Sequence, residues 1–85
     1  MRVYTLSIEH KHGIDTFVFT KEKLLDDFLY GWVKNWWDDE MKGKKMPKSK
    51  DKAIKEYFDY MCDRTIPECY STDTVDVNPK YGGHK

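Results

Sequence analysis

Two histidines and two cysteines are the first residues in this sequence to weigh as chemistry. His10 and His12 stand either side of Lys11, and six residues separate Cys62 from Cys69. Together they offer two nitrogen and two sulfur donors, the ligand types of a structural zinc ion. The spacing between the cysteines matches none of the familiar short metal-binding knuckles. The plainer expectation is no cofactor, with Cys62 at a helix edge, Cys69 as a small buried residue and both histidines solvated in a turn. Zinc held by His10, His12, Cys62 and Cys69 is kept as the alternative. Acids adjoin at Asp26-Asp27 and at Asp38-Asp39-Glu40. Neighbours on a helix diverge by about 100°, so neither group makes a facing pair for acid–base work. No Gly-rich phosphate loop, nucleophile elbow or zinc-protease motif occurs. These residues point away from an enzyme.

The lysines and aromatics are the second constellation. Lys42, Lys44, Lys45, Lys48, Lys50 and Lys52 fall in one short stretch. They could track phosphates while Tyr30 and Trp37 stack on bases. The band contains no arginine, the usual reader and stacker of bases, and Asp38, Asp39 and Glu40 beside it would repel phosphate. Direct nucleic-acid binding is therefore the alternative, and protein binding is the favoured reading. Trp and Tyr bury large areas at low rotamer cost and dominate interface hot spots. The expected surface comprises Tyr30, Lys34, Trp37, Asp38, Asp39, Glu40, Lys42, Lys44 and Lys45, with Tyr60 on the outer side of the second helix.

Positioning these groups requires a scaffold, and periodicity supplies one. Residues 3–10 alternate, with Tyr4, Leu6 and Ile8 on one face. Lys11-His12-Gly13 follows, then a β-branched and aromatic run from Ile14 to Thr20, so the first two strands form a hairpin. Thr20 is the expected N-cap of the first helix. Its apolar stripe is Leu25, Phe28, Leu29, Trp32 and Trp36, widened by Val33. That phase puts Tyr30 and Trp37 to one side. Gly31 costs up to about 1 kcal/mol in a helix, which suggests close approach of another backbone or a mild kink. Either the helix carries Asp38, Asp39 and Glu40 against its macrodipole or it stops before them. A lysine-rich loop follows. Ser49 or Asp51 caps a second helix with Ile54, Tyr57, Phe58 and Met61 on one stripe. Pro67 stops it. A third, polar strand runs from Cys69 to Val77, and residues 78–85, including His84, read as a flexible tail.

The expected fold is thus α+β in the order β-β-α-α-β: a three-stranded antiparallel sheet with two helices packed on one face. It forms a single domain over residues 1–77. The 85 residues leave no room for a second core, and thirteen aromatic rings offset a polar composition. Fifteen basic and fifteen acidic side chains give a formal net charge of zero, which excludes a bulk polycation or a polyanion mimic. By segment the charge is −3 over residues 1–40, +6 over 41–55 and −3 over 56–85. No signal-peptide or membrane-spanning pattern is visible, so the expectation is a cytoplasmic chain with reduced cysteines.

The opening run Tyr-Thr-Leu-Ser-Ile-Glu-His-Lys-His-Gly and the Trp-Trp-Asp-Asp-Glu helix end resemble small proteins carried by phages and mobile elements. In size and layout the whole chain is similar to anti-CRISPR proteins, compact α+β inhibitors of the RNA-guided nuclease machinery. That resemblance is one of architecture and carries no shared motif, so no site residue is inherited. It implies a non-catalytic inhibitor in the host cell cytosol that covers a surface of a bacterial defence protein, such as a CRISPR-associated nuclease.

Overall fold

A computed structural model describes residues 1–77 of the chain. The expected tail at 78–85, with His84, lies outside the described residues. The elements are β1 (Arg2–His10), β2 (Gly13–Phe19), α1 (Glu22–Glu40), α2 (Lys50–Cys62) and β3 (Cys69–Asp76). The order is β-β-α-α-β, and the sheet is antiparallel throughout with β1 central, in the order β2-β1-β3. The hairpin register pairs Leu6 with Phe17 and His10 with Gly13. Gly13 closes the turn at a φ of 127°, a conformation that side-chain-bearing residues rarely adopt. β3 returns antiparallel, with Ile8 opposite Tyr70 and Arg2 opposite Asp76.

The alternation in β1 decides which face is covered. Leu6 and Ile8 are fully buried, and register places Phe17, Phe19 and Tyr70 on the same side. Phe28 of α1 packs 4.5 Å from Phe17 and 5.6 Å from Phe19, while Phe58 of α2 packs 4.7 Å from Tyr70, centroid to centroid. Both helices therefore cover one face, α1 over the β2 side and α2 over the β3 side. The opposite face shows Thr5, Ser7, Thr16 and Ser71 among a few aliphatics, an arrangement open to an antiparallel sheet.

The phase of α1 differs from the expected stripe. Its buried residues are Leu25, Leu29, Val33 and Trp37, continued by Met41. Each step of four advances about 40° beyond a full turn, so this buried line winds around the helix. The first half of α1 faces the sheet. The second half turns toward α2, where Trp37 meets Tyr57 at 6.4 Å. Trp36 shares an azimuth with Leu25 and Leu29 but lies a turn past Trp32, which already sits against His10 at the end of β1. With the sheet at its end, Trp36 is 40% exposed.

Two local expectations also change. The N-cap residue of α1 is Lys21, not Thr20, with no side-chain cap hydrogen bond. Gly31 has open space where a Cβ would stand, so close approach of another backbone does not explain it. Ser49 is the N-cap residue of α2, again without a side-chain cap bond. Among the described residues no helix is long and apolar enough to cross a membrane.

Candidate binding surface

The expected surface divides into three parts. Tyr30 is half-buried at the middle of α1. Its ring carries the ammonium of Lys34 at 5.5 Å and that of Lys50 at 5.7 Å. Lys50 also donates to Asp27 Oδ1 at 2.5 Å, and Lys23 donates to Oδ2 at 3.2 Å. The bond from Lys50, then that from Lys23, holds the Asp27 carboxyl below the usual carboxylate range. Tyr30 thus has two lysine ammoniums near its ring and is partly buried, which limits the ring area open to a stacking base.

Trp37, expected at the surface, is a core residue with 3% exposure. Its indole N–H donates to the carbonyl of Lys44 at 2.7 Å. The lysine loop folds back over the ring, and that bond fixes where the loop crosses the end of α1. Tyr57 covers the ring from α2.

Of the remaining residues, Asp39, Glu40, Lys42 and Lys44 meet in one groove, and Lys34, Asp38 and Lys45 do not line it. α1 runs through Glu40, so Asp38, Asp39 and Glu40 occupy its last turn, where the exposed carbonyls disfavour negative charge. Arg64, beyond α2, offsets part of that conflict by donating to Glu40 Oε1 at 2.6 Å. Asp39, Glu40, Lys42 and Lys44 line a surface groove of about 430 Å³ with Met41, Tyr60 and Arg64. Lys44 reaches Glu56 at 4.0 Å and Lys45 remains exposed. Tyr60, half exposed, is the aromatic of this groove, with Arg64 5.9 Å from its ring centroid.

The cysteines overturn an expectation. Cys62 and Cys69 form a disulfide, with Cα atoms 4.9 Å apart. Free thiols were expected from the compartment alone. The fold supplies the geometric reason for pairing: Cys62 ends α2, Cys69 begins β3, and the chain between them doubles back. Glu68 N, at the end of that segment, donates back to Met61 O in the last turn of α2 at 3.0 Å. Both sulfurs are therefore committed to each other, and the thiolates of the zinc alternative are not formed. His10 instead bonds Asp15 through Nε2 at 2.8 Å, and His12 N donates to His10 Nδ1 at 3.2 Å. Among the described residues no group of three or more His, Cys, Asp or Glu side chains converges as a metal site.

A second cleft emerges where sequence periodicity gave no sign of one. Of about 410 Å³, it lies between the hairpin turn, the C-terminal half of α1 and the 63–68 loop. Glu68 forms part of its wall. Glu68 Oε2 accepts from Trp32 Nε1 at 2.9 Å and from the Tyr57 hydroxyl at 2.8 Å. Burial, reinforced by the carboxylate, pushes the Tyr57 hydroxyl far above its usual range, so it remains a donor. Trp36 and Ile66 line the same cleft and are exposed. The signals available were indirect: a proline-stopped helix with a cysteine on each side of the break, and an indole at each of two successive turns. Compared with family models, curated proteins and solved structures, the sequence matches none.

Proposed function

We propose that this chain is a non-catalytic protein-binding module that acts by covering a surface of its partner. The observation that supports it is the groove of Asp39, Glu40, Lys42 and Lys44 around Tyr60 and Arg64, which joins an aromatic ring to both signs of charge. Such a surface fixes orientation on a partner of mixed charge, and Tyr and Arg are the residue types that most often anchor interfaces. The narrower proposal, an inhibitor of an RNA-guided nuclease in the host cytosol, rests on the resemblance of layout to anti-CRISPR proteins. It is tested by adding the chain to a candidate nuclease and measuring DNA cleavage and complex formation. Inhibition by wild type, weakened at least tenfold in Tyr60→Ala and in Asp39→Lys, supports the reading. Undiminished cleavage at saturating protein excludes that target.

The burial of Trp37 and the two lysines beside the ring of Tyr30 weigh against base stacking and so favour the protein-binding reading over the nucleic-acid one. A gel-shift series in salt decides it: phosphate tracking by the lysines predicts binding at low salt that falls steeply as salt rises.

A further inference from the structure

The cleft built around Glu68 carries more than a general interface. Two neutral donors, Trp32 Nε1–H and Tyr57 O–H, share Oε2 of Glu68 and fix the carboxylate in place. Oε1 accepts no hydrogen bond among the described residues, and no described Lys, Arg or His lies within 4.0 Å of this carboxylate. Arg64 is already paired with Glu40 at 2.6 Å, and His10 hydrogen-bonds Asp15 at 2.8 Å. Lys11 and His12 sit exposed on the hairpin turn. Counting Lys11 and Arg64 against Asp15, Glu40 and Glu68, the lining carries a net charge of −1 with both histidines neutral. Trp36 adds an indole with 40% exposure at the same cleft.

We propose that this cleft is a receptor for a guanidinium group, an arginine side chain presented by a protein partner. A carboxylate held rigid with one oxygen free, beside an accessible indole, is the chemistry that recognises a flat cation. A guanidinium lays its plane on an aromatic face while its edge donates to a carboxylate. It also sheds water more readily than an ammonium. An anion would face the Glu68 carboxylate, which no described cation pairs within 4.0 Å, in a lining of net negative charge. The volume falls within the range of small-ligand sites and leaves room for the backbone flanking one inserted side chain. The source of the arginine rests on the protein-binding reading above; the site itself does not.

The test uses the full chain labelled with ¹⁵N and follows the three indole N–H resonances during peptide titrations. The peptides are acetyl-Gly-Arg-Gly-amide and its lysine and norleucine counterparts. With the arginine peptide, Trp32 and Trp36 should shift to saturation while buried Trp37 stays still. The lysine peptide should bind severalfold more weakly, and the norleucine peptide should not saturate. Glu68→Gln keeps the oxygen acceptor and removes the charge, which should weaken the arginine peptide about tenfold. Trp36→Ala, at an exposed ring, should weaken it about two- to fivefold with the Trp37 resonance unmoved. Equal responses to all three peptides, or unchanged affinity in both variants, overturn the proposal. Arginine-peptide binding together with failure to engage any nuclease upholds the site and refutes only the assigned partner.

Discussion

Reducing the Cys62–Cys69 bridge, or replacing both residues with serine, tests the fold and the cleft together. The sequence separation is 7, so the bridge closes a short loop of the unfolded chain. The chain-entropy relation for such a loop gives about 8 cal/mol/K, or about 2.4 kcal/mol at 25 °C. At about 0.05–0.15 kcal/mol per residue, a domain of this length has a stability of about 4–13 kcal/mol. Removal should therefore weaken the domain without abolishing it. For this size the melting temperature should fall by about 10–20 °C. The assay is urea unfolding followed by tryptophan fluorescence, with and without a phosphine reductant, beside thiol titration of the denatured protein. Superimposable curves with and without reductant, in protein whose thiols titrate only after reduction, would refute the reasoning. The same samples bear on function, because a disulfide is rare in the cytosol. A module working there must stay folded when reduced, so collapse of the fold on reduction would refute the cytosolic inhibitor.

Three further outcomes follow from packing and charge. Trp37→Ala should cost about 3–5 kcal/mol, as truncation of a buried aromatic does, while Trp36→Ala should cost under about 1.5 kcal/mol; comparison of the two denaturation midpoints checks the helix phase. Gly31→Ala should stabilise the domain by about 0.5–1 kcal/mol in thermal melts, since a helical glycine with open space around it has no steric reason to remain. Asp27, held below its ordinary pKa by Lys50 and Lys23, contributes stability that is complete above its unfolded value. That contribution is lost as pH falls through its lower folded value. The stability difference between wild type and Asp27→Asn, from unfolding curves across pH, should hold well above about pH 4 and close below it.

The elements were legible because strand and helix periods differ so sharply. Tyr4, Leu6 and Ile8 alternate, and Ile54, Tyr57, Phe58 and Met61 recur at helical spacing; each set ends up facing the core. The end of α1 was less legible for a geometric reason. A stripe fitted to one azimuth assumes a single neighbour, whereas α1 passes from the sheet to α2 along its length, so burial moves from Leu25 round to Trp37. The adjacent pair Trp36-Trp37 is where the two descriptions disagree, and neighbouring residues on a helix are separated by about 100°. Glu68 and the bridge were illegible because neither follows from local pattern. Glu68 matters only through Trp32, far away in sequence, and through Tyr57 on α2.

Charge segregation, visible in the sequence as −3, +6 and −3, takes on a kinetic meaning in the fold. Three of the seven lysines in residues 41–55 are in ion pairs: Lys44 with Glu56, Lys50 with Asp27 and Lys55 with Asp59. Lys42, Lys45, Lys48 and Lys52 are exposed and form no ion pair among the described residues, as is true of Asp38 and Asp39. Exposed charges of this kind act across about 8 Å at physiological salt and steer encounter, whereas a seated carboxylate–guanidinium pair governs departure. Substituting Lys45 and Lys48 by alanine should therefore change mainly the association rate on a partner and reduce its salt dependence. Glu68→Gln should act mainly on the dissociation rate. Surface plasmon resonance at two ionic strengths separates the two. Lysine variants that act only on dissociation would show that the band is seated within the interface, and the division between steering and anchoring would fail.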